Sequence, residues 1–283
     1  MTIKEIVEVK NKEMIKMTPV KERQDINIPD ITNENISKRN GMVYCLTGSG
    51  GSGKTSLLLN MMRSPKLYRN KFHNIYYICP ISSFLSIEKH PFEKHDKVFH
   101  ELTTKLLESI YNDLIAKKEA FVEYELKQKE KKKLKNKSKP ERLGIEGGSD
   151  DGNDSESDDE PKELEYSCII IDDMADALKN NDITKQLNKM IIKARHIMCS
   201  FIIPIQSYYY MPKILRKQLT YITIFKPKNI EEWNSIAREL LNLNKDDSLK
   251  LFDYIFDEPY THLDIDLVSN KCYKNFNELK LIS

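Results

Sequence analysis

The chain has 283 residues, with 45 Lys and Arg against 43 Asp and Glu and a formal net charge of +2. That balance excludes a polycationic nucleic-acid binder and leaves any contact with nucleic acid to local basic patches. Only nine residues are glycine, five within 41–53 and four within 144–152, which excludes a small GTPase with its D-x-x-G switch and an ABC ATPase with its glycine-rich signature.

Residues 1–25 are charged and weakly patterned and read as a flexible N-terminal arm, not a secretory signal. Residues 42–47 (MVYCLT) read as a buried strand, and after the first glycine cluster 56–63 reads as a helix. A second strand is expected at 75–79, closed by Pro80, then a long charged helix from about 101 to 134. Residues 127–142 carry nine Lys and Arg, and residues 146–160 carry eight Asp and Glu with no Lys or Arg. Such blocks cannot bury enough apolar surface to offset chain entropy, so about 135–163 reads as a disordered, solvated insertion. A nuclear-targeting or nucleic-acid-binding role for KKKLKNK is the rival reading.

Order is expected to resume with a buried strand at 168–171, an amphipathic helix at 183–194 and a strand at 198–206 that must accommodate Pro204. A short helix at 212–219, a strand at 221–225 and helices at 230–241 and 246–256 follow. Alternation at 261–268 and a partner near 271–276 predict a peripheral β pair. Apolar strands alternating with helices predict an α/β fold, a mainly parallel sheet covered by helices, spanning 26–283 as one domain. Cys45, Cys79, Cys168 and Cys199 fall in the apolar runs and, with Cys272, read as reduced core residues of a reducing compartment. The longest apolar stretch, 197–205, is too short to cross a bilayer, and a soluble intracellular protein is expected.

Gly48 to Thr55 (GSGGSGKT) satisfies G-x-x-x-x-G-K-[ST], follows an apolar strand and opens a helix, which is the context a phosphate-binding loop requires. Gly48, Ser49, Gly50, Gly51, Ser52 and Gly53 supply backbone N–H groups, and Lys54, Thr55 and Ser56 complete the nucleotide-binding set at the start of the following helix. Lys54 is expected on the terminal phosphates and Thr55 on Mg²⁺. Gly48, Gly50 and Gly53 also satisfy the dinucleotide pattern G-x-G-x-x-G, but residues 66–76 lack the acidic residue that fold wants.

The run CIIIDD delivers Asp172 and Asp173 from a buried strand, the placement of a Walker B element. Asp172 is then a candidate Mg²⁺ ligand, and Asp173 a candidate for orienting the attacking water. The bland alternative is a pair of acids before the next helix. Gln206, ending the next strand, is a candidate for sensing the γ-phosphate or polarising the water. Arg195 is a candidate arginine finger donated to a neighbouring subunit, and Arg216 a second one; His196 reads as a packing residue. Asn244-Lys245-Asp246-Asp247 matches the guanine-selecting N-K-x-D pattern, but it falls between helices and reads as chance.

MVYCLTGSGGSGKTSLLLNMM, IYYICP, CIIIDDM, Ala194-Arg195-His196, the strand ending in Gln206 and PKILRKQ at 212–218, in that order, resemble the DNA-packaging ATPases of large eukaryotic DNA viruses, poxviruses included, and of virophages. These belong to the FtsK–HerA superfamily, and the resemblance covers roughly 40–227. It implies a RecA-like P-loop NTPase that uses ATP and Mg²⁺ to translocate double-stranded DNA into a capsid. It further implies a hexameric or pentameric ring, viral capsid proteins as partners, no membrane, and a place in the cytoplasmic viral factory or the virion, with the nucleus left open. Lys213, Arg216 and Lys217, or Arg63, Lys66 and Arg69, are candidates for touching DNA phosphates. The rival readings are a nucleoside or nucleotide kinase and a nucleotide-dependent capsid-assembly scaffold without turnover.

Overall fold

The computed structural model describes residues 28, 31, 36–137 and 164–280. The expected arm at 1–25 and most of the expected insertion at 135–163 lie outside the described residues. Among the described residues nine strands form one sheet. In chain order they are β1 (Val43–Thr47), β2 (Asn74–Ile78), β3 (Val98–Phe99), β4 (Ser167–Ile171), β5 (Cys199–Ile205), β6 (Tyr221–Phe225), β7 (His262–Asp266), β8 (Lys271–Lys274) and β9 (Asn277–Leu279). Their spatial order is β3-β2-β4-β5-β1-β6-β7-β8-β9. The first six are mutually parallel, and β7, β8 and β9 continue the sheet antiparallel from β6. The expected peripheral pair is therefore a three-stranded extension of the main sheet. The two-residue β3 and three-residue β9 are too short to show a period in the sequence.

The helices are α1 (Lys54–Arg63), α2 (Ile81–Leu85), α3 (Thr104–Lys137), α4 (Asn181–Ile192), α5 (Lys213–Arg216), α6 (Ile230–Leu241) and α7 (Lys245–Ile255). The long charged helix thus runs a few residues further than the sequence suggests. Successive residues of the central strands enter opposite cores, because side chains alternate along a strand. Val43, Cys45, Ile169, Ile171, Phe201 and Ile203 face α3, α4, α6 and α7. Tyr44, Leu46, Cys168, Ile170 and Ile202 face α1, Tyr68 and Phe72. Burial on both faces is why these strands read as unbroken apolar runs. Trp233 of α6 is fully buried and donates its indole N–H to the Ser248 carbonyl, joining α6 to α7.

Pro204 lies inside β5, opposite Leu46 of β1. Its neighbour pattern explains this. Phe201 N–H points to β1, bonding the Met42 carbonyl, so alternation directs the N–H that Pro204 lacks toward β4. There the β4 pairing has already stopped, at Ile170–Ile202, and no ladder bond is lost. Asn244 is the N-cap of α7, its side chain accepting from Asp247 N–H at 2.9 Å; the N-K-x-D match is a helix cap. All five cysteines are free and buried, and burial pushes the Cys272 thiol up to about 11.

Gly41 is more than the turn it suggests in sequence. Its φ is +72°, and a Cβ there would stand 2.6 Å from Arg195 N and 2.9 Å from Ala194 C. Both the conformation and the close backbone approach require glycine.

Candidate functional site: a phosphate loop facing an acidic strand edge

The C-terminal edge of the parallel half collects the chemistry. β1 ends at Thr47 and passes into the phosphate loop, and Gly53, with φ +103°, caps α1. The left-handed conformations of Gly51 (φ +77°) and Gly53 turn the chain from strand to helix at no Cβ cost. Gly50 has no such need: a Cβ there meets nothing within 4 Å. Gly48 N–H bonds the Ile205 carbonyl, tying the loop to the end of β5. The first turn of α1 carries no acidic residue, so the helix N-terminus keeps its affinity for anions.

Lys54 is buried, and its Nζ donates to the carbonyls of Gly48 (2.6 Å) and Ser49 (3.0 Å). Burial lowers its pKa, while the charges of Asp172 and Asp173 pull it back up. Asp172, directly after β4, is 5% exposed. Its Oδ2 accepts from Tyr77 Oη (3.0 Å) and Thr55 Oγ1 (3.3 Å). Burial raises its pKa above the usual carboxylate range, against the lowering effect of those two bonds. The two candidate Mg²⁺ ligands of the sequence, Thr55 and Asp172, are in direct contact. A hydroxyl and a carboxylate at one point form the hard oxygen set that Mg²⁺ prefers, and a carboxylate desolvated this far is stabilised by a cation. The donor set fits the ion.

Asp173 is exposed and has φ +55°, a left-handed conformation uncommon outside glycine. This backbone turns its carboxylate away from the axis of β4. Oδ1 accepts from Gln206 Nε2 at 2.9 Å and Oδ2 from Ser83 Oγ at 2.9 Å. Two residues read separately from the sequence, Asp173 and Gln206, are thus one hydrogen-bonded unit. Ser83 and Tyr77 were not singled out by sequence reasoning. Tyr77 sits two residues before the end of an apolar strand and looks like core. Ser83 lies on the five-residue α2, where no periodicity marks it.

The two candidate fingers differ. Arg195 packs against Gly41, just before β1, whereas the phosphate loop follows β1. A five-residue strand, roughly 17 Å, separates them, so the structure does not bring Arg195 to its own chain's loop. Arg216 is committed inside the chain: its Nε donates to the Met211 carbonyl, its guanidinium pairs with Glu239 at 3.2 Å and it stacks on Tyr208. Lys213, Lys217, Lys66 and Arg69 are exposed, and Arg63 donates to the Lys89 carbonyl.

Residues 152–275 match the family described as Poxvirus A32 protein. No curated protein matches the chain. Among solved structures, the DNA-packaging ATPase B204 from Sulfolobus Turreted Icosahedral Virus is similar at a TM-score of 0.51 and 17% identity, covering 86% of this chain and 98% of that one. EssC (ATPases 2 and 3) from Geobacillus thermodenitrificans is similar at 0.50 and 14%, covering 83% and 39%. The fold is therefore that of RecA-like P-loop ATPases, with antiparallel strands added at its C-terminal side. The family match and the first of these structures agree with the packaging-ATPase resemblance read from the sequence.

Proposed function

We propose that the chain is an ATP-hydrolysing translocase that packages viral double-stranded DNA into a capsid. The observation that carries the reading is the Ser83–Asp173–Gln206 unit standing beside Lys54, Thr55 and Asp172 on one sheet edge. A phosphate loop alone binds nucleotide. A second carboxylate, held on both oxygens beyond the metal ligand, supplies what hydrolysis needs in addition: a group to orient water. In this reading Lys54 and the loop N–H groups hold the phosphates, and Thr55 and Asp172 would hold Mg²⁺, which would supply charge neutralisation for phosphoryl transfer. Asp173 accepts the water proton while Gln206 fixes its carboxylate. Arg195, exposed and remote from its own loop, is the finger proposed for a neighbouring subunit's site. Arg216, enclosed by Tyr208 and Glu239, is the weaker finger.

The match to a poxvirus family and the fold shared with a viral packaging ATPase support double-stranded DNA as the cargo, a homo-oligomeric ring as the working form, and viral capsid proteins as partners in the cytoplasmic viral factory. Among the described residues no helix is long and apolar enough to cross a membrane. Exposed Lys213 and Lys217, or Lys66 and Arg69, supply phosphate contacts without base specificity.

The test is the rate of phosphate release from Mg·ATP with and without double-stranded DNA, with particle mass measured on the same sample. Stimulation by DNA in a ring-sized particle is expected. Lys54→Ala and Asp173→Asn are expected to lower turnover by roughly 10²–10⁴. Turnover at the wild-type rate in either variant would sink the assignment, and phosphoryl transfer to a nucleoside would replace it with a kinase.

A further inference from the structure

From the phosphate loop toward β6 and β7 runs an open cleft of about 570 Å³, floored at one end by Gly51, Gly53, Lys54 and Thr55 and so continuous with the phosphate site. Tyr260, Phe225, His262 and Asn60 line it, together with the first turn of α1. Tyr260 directly precedes the strand-entry residue Thr261, is 72% exposed and has φ +63°. Its ring lies against the loop, 3.5 Å from where a Cβ on Gly53 would stand. A large aromatic residue held in a left-handed conformation and left exposed is not explained by packing. Strain of this kind collects at ligand sites.

His262 adds a direction. Its Nδ1 is 3.0 Å from Oδ1 of the fully buried Asp264. The same carboxylate accepts from Thr223 Oγ1 and Phe276 N–H. A carboxylate only accepts, so Nδ1 carries a proton, and in the neutral ring Nε2 is then the acceptor. No described residue donates to it.

The chemistry at the other end fixes which way a nucleotide runs. Asp172, Asp173 and Gln206 mark the terminal phosphate, so the nucleoside leaves the loop at the Ser56 end, toward Tyr260. A second aromatic cleft, with Tyr209 and Tyr210, adjoins Gln206 and is therefore on the wrong side for the base.

We infer that the Tyr260 cleft is the base subsite: a purine stacks on Tyr260 and donates its 6-amino group to His262 Nε2, so the site selects adenine over 6-oxopurines. This rests on the ATP-hydrolysing reading above and names its base-recognising residues. The experiment measures equilibrium binding to the full chain of AMP-PNP, of its inosine counterpart and of inorganic tripolyphosphate. Wild type, Tyr260→Ala and Tyr260→Phe are compared. Tyr260→Ala is expected to weaken AMP-PNP by about 10-fold or more, the scale of base stacking on an aromatic side chain. Tyr260→Phe should restore it, and tripolyphosphate should bind all three proteins equally, showing an intact loop. The inosine analogue should bind wild type about 10-fold more weakly than AMP-PNP. Unchanged AMP-PNP binding in Tyr260→Ala, or equal binding of the two nucleotides to wild type, overturns the base subsite while leaving the phosphate site standing. Failure of wild type to bind tripolyphosphate or either nucleotide overturns both readings.

Discussion

Two buried carboxylates sit in one sheet, one in each half, and they are held differently. Asp264, in β7 of the antiparallel half, has partners on both oxygens: Thr223 and His262 on Oδ1, Phe276 N–H on Oδ2. Tyr44, across β1, closes the chain by bonding Thr223 at 2.7 Å. Asp172, after β4 of the parallel half, has two donors, and both converge on Oδ2. No described residue donates to its Oδ1. A carboxylate that cements strands is satisfied on every side, whereas one that serves chemistry is left short of a partner. That missing partner is a cation in the reading proposed above. The oxygen left open on Asp172 is the one a ligand can complete.

The largest expected effect breaks the comparison if it is absent. Asp172→Asn removes the charge that faces Mg²⁺ and should lower phosphate release by on the order of 10³ at saturating Mg·ATP. Asn keeps an oxygen for Tyr77 and Thr55, so the folded far-UV spectrum should persist. Wild-type turnover would place Asp172 beside Asp264 as structure only.

Asp264→Ala is the mirror experiment. It strips Thr223, His262 and Phe276 N–H of their acceptor at a fully buried position. Loss of about 3–5 kcal/mol of stability by denaturant titration is expected. A loss under about 1 kcal/mol would mean that β7 does not depend on this network.

Ser83→Ala sharpens the picture on a smaller scale. It frees Oδ2 of Asp173 while Gln206 keeps Oδ1. Turnover is expected to change by about 3- to 10-fold through kcat, with KM for ATP held, and Ser83→Thr should return it toward wild type. A change in KM alone would mean that α2 shapes the nucleotide site instead of positioning the carboxylate.

These experiments fall partly on residues that the sequence displays and partly on residues that it hides. Lys54, Thr55 and Asp172 are legible because the chemistry demands adjacent residues in a fixed local context: strand, glycine turn, helix. The strands β1, β4, β5 and β6 are legible because burial on both faces writes a continuous apolar run. Ser83, Tyr77 and His262 are not, because each acts through a partner distant in sequence: Asp173 is 90 residues from Ser83 and Asp172 is 95 from Tyr77. Only sheet order brings them together. The third antiparallel strand was missed for a related reason, since three residues pair by register with β8 and carry no pattern of their own. Arg195 shows the converse. It is conspicuous in sequence beside the next strand, yet it lies at the sheet edge away from the loop, because strand direction, not proximity in sequence, decides which edge a residue reaches.

The smallest expected effect concerns stability and turns on the direction of the Asp172 shift. Burial raises the Asp172 pKa in the folded protein above its unfolded value. Below the ordinary carboxylate range both states hold the proton, and the group contributes nothing. As pH rises, the unfolded chain ionises first, so stability is lost progressively until the folded carboxyl has also ionised. At neutral pH the wild-type chain therefore carries a penalty that Asp172→Asn lacks. The variant, inactive in hydrolysis, should be the more thermally stable protein at pH 7, by about 2–4 °C for each kcal/mol relieved in a chain of this size. The gap should shrink toward zero near pH 3. Mg·ADP should reverse it, by stabilising only the protein whose carboxylate can complete the metal site. Equal melting temperatures across that pH range would mean that Tyr77 and Thr55 already offset the burial of Asp172, and that it is held as fully as Asp264.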